Sequence, residues 1–242
     1  MNNIFSKTDM YLMSCTDTGK LRDMMALSPA TRRKCQVNNM HLTRGIDFSE
    51  VNGFAILNSY NGSTDFPAYP YSMHNRLTGK CEALHFFEDD YKFAHATWER
   101  LEQTSYRLAK FECLFAPDFS LYVDAPIHLN KDSVYKSRFV GAFWQCTCGF
   151  NVIPTASWAG VDSFPWCFEG LPNRSVIAVC GVGVTHSSAA WELWVTGLHE
   201  LERRLSPTLI VIYGGKVEVP GLHTPLQFIP DTITQFYRKK KK

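Results

Sequence analysis

The stretch FAPDFSLYVDAP, residues 115–126, places two carboxylates, a hydroxyl and two aromatic side chains within seven residues after an apolar run. Asp118 and Asp124 carry groups that can act as general acids or bases. Ser120 can orient a polar ligand, and Tyr122 offers a flat ring for stacking. Polar groups in a loop that leaves a strand are typical of a ligand site, so the sequence predicts a site centred on Asp118. The alternative is structural: Asp118 caps a turn and Asp124 starts the next helix.

Other apolar runs end in comparable groups. Two further candidate catalytic carboxylates, Asp89 and Asp90, close the run at 83–90. The remaining candidate ligand-binding residues are Thr155, Ser157, Trp158, Gly181, Gly183, Tyr213 and Gly214. Together with Ser120 and Tyr122 they would suit a polar ligand with flat faces, such as a nucleotide or a sugar. If the four Asp side chains converge, they could bind a divalent metal, Mg²⁺ or Mn²⁺.

The apolar runs themselves predict buried strands. They centre near residues 57, 86, 115, 153, 178 and 211, and a weaker run follows at 226–232. Runs that are apolar at both odd and even positions are typical of strands buried on both faces, as in a parallel sheet. Pro154 has no backbone N–H to donate, so we expect the fourth strand to end there.

Helical patterns lie between the strands, and a parallel sheet requires crossovers of this length. The apolar stripe at 187–205 is the clearest, 132–146 has a comparable stripe, and 91–111 is weaker. The order predicts an α/β fold with a predominantly parallel sheet of repeated βα units. It is barrel-like and possibly incomplete, with a first strand that could lie near 10–15. An open doubly wound sheet is the alternative, and both place the candidate loops at one face.

Composition predicts one globular domain over 46–236, preceded by an extension (1–45) that packs on it and followed by a basic tail (237–242). The chain has 242 residues, 45% hydrophobic and 20% charged, with a net charge of +2. Five of its cations are Arg238 and Lys239–Lys242, so the body is mildly acidic. We expect a cytoplasmic protein without a membrane segment, because no apolar run approaches the ~18 residues that cross a bilayer.

Familiar catalytic signatures are absent from the sequence. It contains no G-x-S-x-G, no Walker A motif and no H-E-x-x-H, and CGVGVT (180–185) lacks the third glycine of a dinucleotide-binding loop. A nucleophile or a nucleotide-binding fold therefore cannot be assigned by motif.

Five strings together resemble one family. PDFSLYVDAP, GAFWQ, VIPTASW, SFPWCFEGLP and LIVIYGG, within about residues 40–220, are similar to the domain-of-unknown-function 4417 family. The resemblance implies an origin in a phage, plasmid or other mobile element of bacteria, a cytoplasmic location in the bacterial host and a single α/β domain. It assigns no catalytic role. Val123 stands where the family resemblance leads us to expect a basic residue, which argues against an anion contact there.

Two functions remain open at this point. The first is an enzyme acting on a nucleotide, nucleic acid or similar polar ligand, with Asp118 as base or metal ligand. The alternative is a non-catalytic binder of a host protein, nucleic acid or signalling nucleotide. The aromatic segment WCFEGLP (166–172) would serve a binder if exposed, but we expect it to pack back onto the core. The sequence indicates no oligomeric state.

Overall fold

The computed structural model describes residues 37–231, which contain eight short strands and four α-helices. The strands are β1 (Ala68–Pro70), β2 (Ala83–His85), β3 (Cys113–Phe115), β4 (Val152–Ile153), β5 (Thr155–Ala156), β6 (Val176–Cys180), β7 (Leu209–Tyr213) and β8 (Leu226–Ile229). The helices are α1 (Leu101–Leu108), α2 (Ile127–Cys146), α3 (Phe164–Cys167) and α4 (Ser188–Leu205). Short 3₁₀ or π turns lie between them, including Tyr71–Arg76, Asp90–Lys92 and His95–Glu99.

The strands form two four-stranded sheets, β1-β2-β3-β4 and β5-β6-β7-β8, and every pairing is parallel. Pro154 separates the sheets. On one side of it, the backbone N–H of Ala116 donates to the carbonyl of Ile153 at 2.9 Å. On the other side, the N–H of Ala178 donates to the carbonyl of Pro154 itself at 2.8 Å. The prediction that the fourth strand ends at Pro154 is confirmed, since this residue can accept a ladder hydrogen bond but cannot donate one.

Successive strand residues pack into different apolar clusters, because side chains along a strand point to alternate faces. Leu84 and Leu114 join a cluster with Phe139 and Trp144 of α2. Ile177 and Ile210 join a second cluster with α4. The residues of opposite parity, from strands of both sheets, form a third cluster: Ala68, Ala83, Cys113, Phe115, Ile153, Val176, Ala178, Val211 and Tyr213. The strands are therefore covered on both faces, as their sequence predicts.

The predicted α/β class and parallel pairing are confirmed, but the described strands do not close into a barrel. They form two open sheets, and no ladder joins β1 to β8. The side chain of Gln227 in β8 exchanges hydrogen bonds with Thr64, four residues before β1, at 2.5 and 3.0 Å. Strand order follows chain order within each sheet, so neither has the reversal of the doubly wound alternative.

Two element predictions were wrong, and three others were confirmed. The apolar run near residue 57 forms no strand: Leu57 donates to the carbonyl of Gly170, and only an isolated antiparallel bridge joins Phe48 to Ala55. The helix predicted over 91–111 is divided, because Arg100 has a non-helical backbone between a π turn and α1. The weak run at 226–232 contains β8, and the helices predicted at 132–146 and 187–205 are confirmed as parts of α2 and as α4.

Some predictions lie outside the described residues. These are the strand near 10–15, the extension as far as residue 36 and the basic tail at 237–242. The part of the extension that is described contacts the domain through Asn39, whose side-chain amide donates to the carbonyl of Trp98 at 2.9 Å. The three-part division of the chain stays a prediction. Between residues 37 and 231, no helix combines the length and the hydropathy that a bilayer span requires.

Candidate functional site

Asp118 follows β3 and lies where two cavities meet. The chain is fixed two residues earlier, at Ala116, whose N–H donates to Ile153 and whose carbonyl accepts from Thr155 Oγ1 at 2.8 Å. Both cavities are lined by Asp118 and Ser120 after β3 and by Cys180 and Val182 at the end of β6. Asp118 therefore lies at the edge formed by the carboxyl ends of the parallel strands, which is where ligands bind in such sheets.

The first cavity has a volume of about 620 Å³ and is rich in charged groups. Beyond the shared residues, its polar and charged lining residues are Ser72, Arg76, Glu88, Asp89, Lys92, Tyr213 and Asp231. Lys92 Nζ lies 3.1 Å from Asp89 and 3.8 Å from Glu88, so its charge is already balanced. Arg76 is exposed and has no carboxylate partner among residues 37–231. Arg76 is thus the cation of this cavity that is open to an anion.

Glu88 fixes the turn that carries Arg76. One carboxylate oxygen accepts from the backbone N–H of Ser72 at 2.9 Å, and the other accepts from Ser72 Oγ at 2.6 Å. Ser72 belongs to the 3₁₀ turn Tyr71–Arg76, so the guanidinium stands on a turn that is tied to the end of β2. These hydrogen bonds hold the start of the turn, and the exposed side chain of Arg76 extends from its last residue.

The second cavity, about 380 Å³, has aromatic walls. Tyr122, Trp158 and Trp194 line it together with Ser157. Trp194 is held by a hydrogen bond of 2.8 Å from its indole N–H to the carbonyl of Cys180. Trp158 lies against Gly197 of α4, where a Cβ atom would stand 2.1 Å from the indole Cε2. The glycine is what leaves room for the Trp158 ring.

The loop from Asp118 to Tyr122 is held at two points. Asp90 accepts hydrogen bonds from the backbone N–H of Ser120 at 3.2 Å and from Ser120 Oγ at 2.9 Å. Asn130 of α2 is buried, accepts from the Tyr122 N–H at 3.0 Å and donates to the Tyr122 carbonyl at 2.7 Å. The loop is therefore fixed before any ligand arrives, which is the condition for precise positioning of a reactive group.

Burial raises the pKa of the Asp118 carboxyl from 3.8 to about 7, and the charge of Asp90 adds to this rise. A hydrogen bond with Ser157 and the charge of Arg138 act in the opposite direction. Oδ1 of Asp118 is buried and has no hydrogen-bond partner among the described residues. At neutral pH the carboxyl exists in comparable amounts with and without its proton.

Arg138 brings a buried positive charge from α2 toward Asp118. Its guanidinium donates to the backbone carbonyls of Thr155, Cys167 and Glu169 at 2.9, 2.7 and 3.2 Å. Its side chain is almost fully buried, and burial lowers its pKa to about 10, which still leaves it charged at neutral pH. Arg138 therefore has two roles: it joins α2, β5 and α3, and it limits the rise in the pKa of Asp118.

Two predicted glycines bring the ends of β6 and β7 together. The N–H of Gly181 donates to the carbonyl of Tyr213 at 2.8 Å. Gly214 has φ of 141°, and a Cβ atom there would lie 3.1 Å from the backbone of Gly181. Neither glycine lines either of the two cavities at Asp118, but their close approach positions Cys180 and Tyr213, which do.

The structure brings seven of the thirteen predicted site residues to the cavities: Asp89, Asp118, Ser120, Tyr122, Ser157, Trp158 and Tyr213. The other six are elsewhere. Asp90 is engaged with Ser120, Thr155 is buried in β5, and Asp124 is exposed in the turn before α2. Gly183 starts the 3₁₀ turn Val184–His186 with a left-handed backbone, and Gly181 and Gly214 act through the backbone.

The four Asp residues do not converge into the Mg²⁺ or Mn²⁺ site that the sequence suggested. Between residues 37 and 231, no group of three or more His, Cys, Asp or Glu side chains is arranged to hold a metal ion. The physical reason is that Asp89 pairs with Lys92, Asp90 bonds to Ser120, and Asp124 points into solvent.

Sequence reasoning missed five residues near the site: Arg76, His85, Arg138, Cys180 and Trp194. A signal existed for Arg138, because it interrupts an otherwise apolar stripe of the predicted helix. None existed for Arg76, which stands in a short turn. His85 is buried 4.3 Å from the ring of Tyr213, and burial lowers its pKa to about 3. It is neutral at physiological pH and packs as an aromatic ring.

Comparison with known proteins identifies the family. The profile of the family described as "Domain of unknown function (DUF4417)" matches residues 58–224, more than half of the chain, so the chain belongs to this family. "Gene 1 protein" of Mycobacterium phage L5 is 42% identical over 132 residues, 54% of this chain and 57% of the relative. "Gene 1 protein" of Mycobacterium phage D29 is 40% identical over 132 residues, 54% and 48% of the two chains. The chain thus spans about half the length of these relatives.

No solved structure matches the chain. The family resemblance and the phage connection that the sequence predicted are confirmed. The family is defined without an activity, so function has to be argued from the site.

Proposed function

We propose that this DUF4417 protein is an enzyme that acts on a nucleotide, a nucleic acid or a similar polar ligand, with Asp118 as its acid–base group. The observation that carries the proposal is the position of a half-buried aspartate, with Oδ1 shielded from solvent and a pKa of about 7, at the junction of two cavities. Proton transfer is most effective when the pKa of the catalytic group lies near the working pH. An ordinary surface carboxylate would be a weaker base and would rarely hold a proton to donate.

The lining of the cavities favours a nucleotide-type ligand. Tyr122, Trp158 and Trp194 offer faces on which a planar ring can stack. Arg76 offers a guanidinium to an anionic group such as a phosphate. A simple sugar would use the aromatic walls but would leave the cation without a partner.

The scaffold that carries the site is, in this proposal, a barrel-like arrangement in which the two sheets curl around their shared apolar cluster. Sequential strand order, uniform parallel pairing and the Thr64–Gln227 hydrogen bonds support it. Such an arrangement places loops that are distant in sequence at one end, which fits the meeting of the 118–122 loop with the ends of β6 and β7. The phage relatives favour action in the cytoplasm of a bacterial host.

The test of the acid–base role is Asp118→Asn, an isosteric change that removes the proton. Turnover of a panel of nucleotides and short oligonucleotides should fall by roughly 10²–10⁴-fold, while ligand binding persists. Asp124→Asn makes the same chemical change in the exposed turn before α2 and should leave turnover at the wild-type level. Undiminished turnover by the Asp118→Asn protein would exclude the acid–base role.

A second candidate function, a non-catalytic binder of a host protein or nucleic acid, is favoured by one observation. Apolar side chains are exposed around the turn before α2 and its first residues, and Val161 lies next to them. These residues, between 53% and 70% exposed, are Tyr122, Val123, Ile127, Leu129 and Val161. A Cβ atom on Gly160 would lie 3.9 Å from Val123, so the two segments are neighbours. Clustered exposed apolar groups mark interaction sites more often than isolated ones do.

The aromatic segment WCFEGLP does not contribute to that surface. Trp166 and Phe168 are buried, which confirms that the segment packs back onto the core. The two functions are separated by Ile127→Ser combined with Leu129→Ser. If the protein is a binder, the double variant should lose affinity for the partner and Asp118→Asn should keep it. If the protein is an enzyme, Asp118→Asn should lose turnover and the double variant should keep it.

A further inference from the structure

The two cavities differ in chemistry, and Asp118 lies between them. The cavity with Trp158 and Tyr122 provides aromatic side chains, and the cavity with Arg76 provides a cation on a turn whose first residues are bonded to Glu88 through Ser72. Their shared residues, Asp118 among them, border both. A ligand that fills both cavities therefore has its planar part on one side of the carboxyl and its anionic part on the other.

In a nucleotide, the base and the phosphate are joined through the pentose. When the base stacks in the aromatic cavity and the phosphate reaches Arg76, the group at the junction faces the pentose and its bond to the base. The volumes of about 380 and 620 Å³ fall in the range of small-molecule sites. The larger cavity is the charged one, which leaves space there for a further nucleotide of an oligonucleotide chain.

Resting on the proposed function, we propose that Asp118 serves the hydrolysis of the N-glycosidic bond of a nucleotide, with the base in the cavity lined by Trp158 and Tyr122 and the phosphate at Arg76. The C1′–N bond breaks, and its electron pair goes to the base nitrogen, which takes the proton of the Asp118 carboxyl. A water oxygen forms the new bond to C1′ and releases a proton that restores the carboxyl. The products are a free base and a pentose phosphate.

The surroundings of Asp118 agree with the role of a proton donor. A nucleobase leaves poorly as an anion, so the reaction needs a group that holds a proton near neutral pH. Burial and the Asp90 carboxylate favour the protonated form, whereas Arg138 and Ser157 favour the ionised form. Cys180, which lines both cavities, has a pKa raised to about 12 by burial, so its thiol stays neutral and does not compete as a base.

The fixed loop suits this chemistry. Asp90 holds the segment 118–122 at Ser120 and Asn130 holds it at Tyr122, so the substrate does not have to order this loop. When two subsites hold the substrate and the proton donor is fixed between them, one particular bond of the substrate is positioned for cleavage.

The experiment uses the full chain and has two arms. In the first, the substrates are purine and pyrimidine nucleoside 5′-monophosphates, as ribonucleotides and as deoxyribonucleotides. In the second, the substrate is a single-stranded oligonucleotide. Chromatography separates free base from inorganic phosphate, and the two arms distinguish a free nucleotide from a nucleotide within a chain. We expect free base with pentose phosphate in the mononucleotide arm, or free base with an abasic oligonucleotide in the oligonucleotide arm, and in either case a rate reduced roughly 10²–10⁴-fold in Asp118→Asn. The rate of the wild-type protein should decline as the pH rises above 7, because the donor then loses its proton.

Two variants test the subsites. Arg76→Gln should raise KM roughly tenfold to a hundredfold with a smaller effect on kcat, as expected for the loss of a charge-assisted hydrogen bond to phosphate. Arg44→Gln is the matched control, because Arg44 is exposed and lines neither cavity. With the same nucleosides lacking phosphate as substrates, Arg76→Gln and wild type should have the same KM.

The outcomes separate this inference from the proposed function. Release of inorganic phosphate instead of base, still dependent on Asp118, would overturn the assignment of the bond and leave the acid–base role intact. Equal KM values for Arg76→Gln and Arg44→Gln would overturn the phosphate subsite. If calorimetry detects no binding and no arm shows turnover, both the inference and the proposed function are rejected.

Discussion

Replacing Asp118 with Asn should stabilise the protein at neutral pH and leave its stability in acid nearly unchanged. Below a pH of about 3, Asp118 is protonated in both the folded and the unfolded chain, so the carboxyl carries no ionisation penalty that the amide would remove. As the pH rises, the unfolded chain loses this proton first, because the folded state holds the pKa at about 7. The wild-type free energy of unfolding therefore falls across this window, relative to that of the variant.

The magnitude follows from the two pKa values. The interval from 3.8 to about 7 is roughly three units, and each unit is worth about 1.4 kcal/mol, so the difference reaches about 4 kcal/mol at pH 8. For a chain of this size each kcal/mol moves the melting temperature by about 2–4 °C, so the variant should melt some ~10 °C higher at that pH.

The assay is urea unfolding of wild type and Asp118→Asn, followed by tryptophan fluorescence and far-ultraviolet circular dichroism, at several pH values between about 4.5 and 8. Glu169 and Glu202 have lowered pKa values in the folded protein and stabilise it less as the pH falls. They act equally in both proteins. The difference in the free energy of unfolding between wild type and Asp118→Asn therefore reports on Asp118 alone. Asp124→Asn controls for the loss of a charge and should follow the wild-type profile, since exposed substitutions seldom change stability by more than about 0.5 kcal/mol.

A constant difference between Asp118→Asn and wild type across the pH range would refute the reasoning, because it would mean that folding does not shift this carboxyl. A variant that is less stable than wild type at pH 8 would refute it as well, since the carboxylate would then be stabilising where the structure says it is costly.

Three further substitutions test the supports of the site. Asn130→Ala should lower the free energy of unfolding by about 1–2 kcal/mol and speed amide hydrogen exchange at Tyr122, because two hydrogen bonds that hold the loop are lost. Gly197→Ala should cost about 1–3 kcal/mol and shift the fluorescence of Trp158, because the new methyl group overlaps the indole. Arg138→Met should destabilise the protein by at least about 3 kcal/mol in urea unfolding, because it leaves three backbone carbonyls without donors, and should move the pH dependence associated with Asp118 to higher pH.

Each of these has a contrary result. Unchanged exchange at Tyr122 in Asn130→Ala would show that other contacts fix the loop. A wild-type emission spectrum in Gly197→Ala would show that Trp158 does not rest on α4. A pH dependence that stays in place or moves to lower pH in Arg138→Met would remove the electrostatic link between the guanidinium and Asp118.

The sequence predicted the strands where the chain forms continuous apolar runs that pair with neighbours on both sides. β6 and β7 are such runs, and both lie inside their sheet. It failed for β1, Ala68–Pro70, which is three residues long, ends in a proline and has a partner on one side only. It also failed near residue 57, where an equally apolar run satisfies its backbone through Gly170 and the side chain of Gln145. Apolar content predicts burial, but it does not predict which backbone groups become partners.

The candidate site was predictable to the extent that it follows strand ends. Asp118 and Ser120 come directly after β3, so the rule for parallel sheets located them. The rule could not distinguish a carboxylate that faces a cavity from one that holds the loop, as Asp90 does, because that depends on the path of the loop. Nor could it find Arg76, whose position depends on the hydrogen bonds between Glu88 and Ser72.

The most direct test of the central claim is a measurement of the Asp118 pKa by carbon-13 NMR of the side-chain carboxyl, with Asp118→Asn used to assign the resonance. The structure predicts a titration midpoint of about 7. A midpoint near 3.8, the ordinary value for an aspartate, would contradict the account, because Asp118 would then hold no proton at neutral pH and could not serve as the acid of the site.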